Sequence, residues 1–185
     1  MALQILSRAM LLFILLAPLP AIAQGPSGNL PANSSLDAIA RWISANYDLP
    51  YAAEMPRIEL VQPAQIHRLR YNALLPRQSQ AIGGEHSTPL PEIQREVVAV
   101  YDDTSRTIYL PAGWTGASVA ERSVLVHEMV HHLQNLAGRR YDCGGAREKT
   151  AYLAQRQWLA ERGLDLETEF QVDLFTIVAL SACML

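Results

Sequence analysis

From Ser118 to Gly138 the chain reads SVAERSVLVHEMVHHLQNLAG, and Val124, Leu125, Met129, Leu133 and Leu136 recur at the spacing of one helical face. Ser118 and Glu121 stand at capping-box spacing, an arrangement that satisfies two otherwise unpaired N–H groups at a helix start. No Pro or Gly interrupts the run. Gly138 stands where a left-handed residue would close the helix, and Arg139 and Arg140 follow at its negative end.

The same reading places elements on both sides. Leu36, Ile39, Ala40 and Ile43 predict a helix capped by Ser34 or Ser35 and running to about Tyr47. Arg57 to Val61 alternates as a short strand, and Pro63 suits the first position of a second helix over Ala64 to Tyr71. Ala73 to Glu92 carries Pro76, Gly83, Gly84, Pro89 and Pro91 and reads as a long loop, a kind of segment that often has a function. Glu96 to Tyr101 and Arg106 to Leu110 read as a hairpin around Asp102-Asp103-Thr104-Ser105. Pro111 lacks an N–H and so assigns the second of these strands to a sheet edge. After a loop with Cys143, Gly144 and Gly145, a helix is predicted over Ala146 to Arg162, closed by Gly163. A last one runs from Thr168 to Ala182, apolar along Phe170, Leu174, Phe175, Ile177 and Val178. This order predicts the α+β class: a small antiparallel sheet packed against the Ser118–Gly138 helix, with two further helices behind.

The polar positions of that central helix change the picture. His127-Glu128-Met129-Val130-His131 is the H-E-x-x-H pattern. Residues i and i+4 share a helical face, so the two imidazoles stand one turn apart, where a tetrahedral Zn²⁺ can bridge them. Glu128 lies one step round the helix, placed to take a proton from a water. A catalytic zinc site takes a third protein ligand. Glu148, in the first turn of the following helix, is the candidate, with Tyr152 and Gln155 on its face and Gln134 on the face of the histidines. Asp142 and Glu121 are weaker rivals, and Cys143 as a thiolate ligand is a further alternative. His132 points away from the ligand face and reads as a supporting or surface residue. His67 and His86 read as surface histidines.

The run His127-Glu128-x-x-His131 followed by Glu148 resembles the gluzincin branch of the zincin metallopeptidases. The nearest likeness is to short exported bacterial zincin-like proteins with H-E-x-x-H-H-x-Q and a cysteine-containing loop. It does not resemble the metzincins, whose pattern would put Gly and His where Gln134 and Ala137 stand. The match covers about Tyr109 to Leu159, and it departs from thermolysin-like enzymes in having Tyr152 where they carry an acidic residue. The resemblance implies a minimal zincin-like fold, Zn²⁺ on His127, His131 and Glu148, and Glu128 as general base. It also implies an extended substrate paired to a strand edge, which this sequence would place near Ile108 to Ala112. Tyr152 is a candidate oxyanion donor. The function that follows is zinc-dependent hydrolysis of a peptide bond in a peptide or protein. The alternatives are a non-catalytic, zinc-stabilised binding protein, against which Glu128 argues, and amide hydrolysis of a non-peptide substrate such as cell-wall material.

Charge and cysteines set the context. The 185-residue chain has a formal net charge of −3 and no basic run, which argues against a nucleic-acid partner. Arg8, the apolar stretch Ala9 to Leu19 and Ala21-Ile22-Ala23 predict a cleaved signal peptide over residues 1–23, leaving 24–185 as one domain without a membrane anchor. The expected location is periplasmic or secreted. In that setting Cys143 and Cys183, the only two cysteines, are expected to pair.

Overall fold

The structure, a computed structural model, describes residues 31–74 and 99–183. The expected signal peptide, His86 and nearly all of the long loop expected over Ala73 to Glu92 lie outside them. The elements are α1 (Asn33–Asn46), β1 (Arg57–Val61), α2 (Pro63–Leu74), β2 (Val100–Asp102), β3 (Thr107–Pro111), α3 (Val119–Leu136), α4 (Gly144–Ala160), α5 (Leu166–Phe170) and α6 (Leu174–Ser181). The class is α+β, as expected.

The core is built round α3. Every residue from Ser123 to Gln134 is buried, so this helix is enclosed on all sides instead of presenting one wet face. Its Val124, Leu125, Met129 and Leu133 pack with Leu36 and Ile43 of α1, Ile108 and Leu110 of β3, and Ala151 and Ala154 of α4. Both ends are fixed locally. The Ser118 hydroxyl accepts from the Glu121 N–H at 3.0 Å and the Glu121 carboxylate accepts from the Ser118 N–H at 3.2 Å, completing the capping box. At the other end Gly138 takes φ +62°, while the Arg139 and Gly138 N–H groups bond back to the Gln134 and Asn135 carbonyls. Ahead of α3, Gly116 takes φ +66°, and a Cβ there would come within 2.4 Å of the buried Trp114 ring.

The sheet corrects two expectations. Its order is β1-β3-β2, with β1 parallel and β2 antiparallel to β3, so it is mixed and not purely antiparallel. β1 and β3 are far apart in sequence with α2 between them, which lets the chain return to the end where it started. β3 is the central strand, bonded on both sides. The pairing of substrate expected near Ile108 to Ala112 is closed off at Ile108 and Tyr109, which pair with both neighbours, while in the described pairs Leu110 to Ala112 bond toward β1 alone. Pro111 is tolerated because it pairs only with β1, past the last described β2 pair, Val100 with Tyr109.

Two helix expectations also change. α1 begins without a side-chain cap, so neither Ser34 nor Ser35 closes it. The single last helix is two. The Asp165 side chain starts α5, Gln171 breaks the path at φ +55°, and the Asp173 carboxylate starts α6 by accepting from the Thr176 N–H at 2.6 Å. The expected apolar stripe is correspondingly uneven: Ile177 is buried, while Leu174, Phe175 and Val178 are exposed.

α6 is held against the start of α4. Cys143, the residue that precedes α4, is disulfide-bonded to Cys183. Gly145 lies so close to the end of α6 that a Cβ would sit 2.6 Å from the Leu180 carbonyl oxygen. Among the described residues no helix is long and apolar enough to cross a membrane. Titration of denatured, unreduced protein is expected to find no free thiol. Replacing both cysteines by serine should lower stability by about 4 kcal/mol, the loop-closure scale for a bridge of this span, read from denaturant midpoints.

Candidate metal centre

His127 and His131 project from adjacent turns of α3, their ring centroids 5.0 Å apart. Glu148 comes from the first turns of α4, the helix that packs most extensively along α3. The three side chains converge. His127 Nε2 and His131 Nε2 are 3.3 Å apart, and Glu148 sets one carboxylate oxygen 3.2 Å from His127 Nε2 and the other 3.4 Å from His131 Nε2. A tetrahedral centre with bonds of about 2.0–2.1 Å has edges of about 3.3–3.4 Å. The separation of the two Nε2 atoms matches one such edge, and Glu148 turns a different oxygen toward each ring, so the three residues are grouped closely enough to hold a metal ion such as zinc. Among the described residues this is the one His/Cys/Asp/Glu group whose ligand atoms lie close enough to share a metal.

The electrostatics of the two carboxylates differ. Burial opposes the charge on Glu148, but the His131 and His127 imidazoles overcome it and hold the carboxyl well below its usual range. Burial pushes the Glu128 carboxyl up, with Glu148 adding to the rise; His127, Arg70 and the Tyr101 main-chain N–H act against it. One carboxylate is thus fixed as an anion beside the imidazoles, and the other is biased toward taking up a proton. That division suits a ligand and a general base.

Tyr152, one turn beyond Glu148, lies edge-on to His127 with centroids 4.6 Å apart. Burial raises its hydroxyl above the ordinary phenol range, Glu148 and Glu128 add to this, and Arg70 opposes them by charge and by hydrogen bonding. The phenol keeps its proton and remains a donor at the site.

The other residues singled out in the sequence fall elsewhere. Gln155 is buried but donates to the Ser123 hydroxyl at 3.2 Å. Glu121 is engaged in the capping box, Asp142 is exposed, and Cys143 is disulfide-bonded. His67 is exposed on α2. His132 is fully buried: its Nε2–H donates to the Glu54 carbonyl at 2.7 Å and its Nδ1 accepts from the Tyr101 hydroxyl at 3.1 Å. It ties the segment before β1 and the strand β2 to the helix that carries His127 and His131. Arg70 and the Tyr101 N–H escaped the sequence reading, because no local pattern relates α2 or β2 to a motif more than twenty-five residues away.

Comparison with known families matches residues 29–185 to a domain of unknown function, DUF6647. The chain belongs to the DUF6647 family. No curated protein and no solved structure matches it. Within this family member, then, the case for chemistry rests on the residues just described.

Purified protein kept away from chelators is expected to carry one zinc per chain by elemental analysis. His127→Ala should abolish stoichiometric binding. Glu148→Gln, which keeps the shape but loses the charge, should weaken it strongly while Glu121→Gln leaves it unchanged. Retention of full affinity in Glu148→Gln would remove that residue from the ligand set.

Proposed function

We propose that this protein is a zinc-dependent hydrolase, a metallopeptidase of gluzincin type that acts outside the cytoplasm. The observation that carries the reading is the convergence of His127 Nε2, His131 Nε2 and the Glu148 carboxylate within 3.2–3.4 Å contacts, with a buried carboxylate, Glu128, on the next residue after the first histidine. A purely structural zinc site has no use for that carboxylate, so its presence favours catalysis over the alternative of a zinc-stabilised binding protein.

Bound zinc would supply Lewis acidity, acidifying a water and polarising a carbonyl. The protein's own groups divide the remaining work. Glu128 takes the proton from the attacking water and returns it to the leaving amine, and burial, by pushing its carboxyl up, favours the proton uptake. Tyr152, protonated and beside His127, donates to the oxyanion that develops on the carbonyl. Arg70 lends positive charge on the same side. Export is supported by the signal-peptide pattern over residues 1–23 together with the Cys143–Cys183 bond, which persists in oxidising compartments.

The test is a peptide-library digest with wild type and Glu128→Gln in parallel. The variant should lose about 10²–10⁴ in rate, the scale for a general base, at unchanged zinc content. Equal cleavage by both would remove Glu128 from the mechanism. Cleavage by neither, with zinc bound, would turn the reading to the binding protein or to a non-peptide amide.

A further inference from the structure

A histidine binds a metal through one ring nitrogen only when its proton sits on the other. In this protein the position of that proton on His131 can be read from a chain of hydrogen bonds. Gln134 follows His131 by three residues on α3, and it is buried. Its Nε2 lies 3.1 Å from the Arg147 main-chain carbonyl. A carbonyl only accepts, so the amide NH₂ must face it, and the amide oxygen must face the other way. That oxygen lies 3.1 Å from His131 Nδ1. An oxygen acceptor there requires a proton on Nδ1, which leaves the lone pair of a neutral ring on Nε2. Nε2 is the atom that faces His127 and Glu148.

The anchor of this chain lies on the hairpin turn between β2 and β3. The Arg147 guanidinium makes two bonds to the Asp103 carboxylate, at 2.6 and 2.9 Å. The Asp103 carbonyl accepts from the Asn135 side chain at 2.9 Å. One turn residue therefore grips α3 next to Gln134 and α4 next to Glu148. Among the described residues His127 has no such support, its buried Nδ1 being without a hydrogen-bond partner there.

We propose that Gln134 is a positioning residue that sets the tautomer of His131 for metal binding, and that Asp103, acting through Arg147, holds Gln134 in register. This rests on the zinc reading above. Groups that orient metal-binding histidines typically change affinity by about 10–100-fold when removed.

The experiment measures zinc affinity by competition with a chromophoric chelator in wild type, Gln134→Leu, Gln134→Glu and Asp103→Ala, with thermal unfolding of each metal-free protein as the folding control. Gln134→Leu is close in size but has no acceptor, and should bind zinc about 10–100-fold more weakly. Gln134→Glu keeps an acceptor opposite Nδ1 but loses the NH₂ that faces the Arg147 carbonyl, so it should bind more tightly than Gln134→Leu without reaching wild type. Asp103→Ala, on a partly exposed turn, should fold and should weaken binding by less than Gln134→Leu. In zinc-loaded wild type labelled with ¹⁵N-histidine, the His131 Nδ1–H should give a slowly exchanging NMR signal, in contrast to that of His127. The signal decides the matter even if Gln134→Leu fails to fold. A His131 ring bound through Nδ1, or unchanged affinity in folded Gln134→Leu, would overturn the proposal and leave the zinc reading standing. A wild type that takes up no zinc would overturn both.

Discussion

An α-helix enclosed by protein on every side is ordinarily apolar all round, and α3 is not. It carries His127, Glu128, His131, His132 and Gln134 into the interior. Buried polar groups are costly unless each finds a partner, and a buried charge more so. Much of the architecture can be understood as meeting that requirement. Glu148 and the Arg147 carbonyl come from α4, the Tyr101 hydroxyl and N–H from β2, and the Glu54 carbonyl from the segment before β1. Three separate parts of the chain thus converge on one helix, each supplying a complementary group. Apolar packing brings α1 and β3 against the same helix, but it is the polar set that fixes which residue stands opposite which.

The two kinds of bracing have different strengths. His132 is satisfied at both ring nitrogens, as is the Tyr101 hydroxyl between it and Asn135. That part of the network is complete without any added ligand. The His127–His131–Glu148 cluster is different, since two imidazole nitrogens and a carboxylate meet there and, among the described residues, their recorded contacts are with one another. A complete network beside an incomplete one is the expected arrangement when rigid surroundings hold a site open for a cation.

What the sequence revealed follows the range over which each signal acts. The limits of α3, its capping box and the Gly138 turn depend on residues within a few positions of one another, and they were legible. Glu148 was legible because a short connection forces α4 back along α3. The pairing of Cys143 with Cys183 needed only their number and the expected compartment. The place of β3 in the sheet was not legible. Pro111 pointed to an edge, but the neighbour that makes β3 central is β1, some fifty residues earlier, and a parallel pair leaves no turn to mark it. The break at Gln171 was hidden by a run of good helix formers, although Asp173 ahead of Leu174 is in retrospect an N-cap. Arg70, Tyr101, Asp103 and Arg147 reach the site through tertiary contacts alone, which no periodicity records.

The bond between Cys143 and Cys183 has a bearing on timing. Cys183 follows every residue of the ligand set in the order of synthesis, and Glu148 lies five positions after Cys143. The start of α4 is therefore locked only after both histidines, the sheet and α6 have been made and the thiols oxidised. Until then the Arg147–Asp103 pair and the apolar contacts of Ala151 and Ala154 are what hold the start of α4 against the rest of the chain.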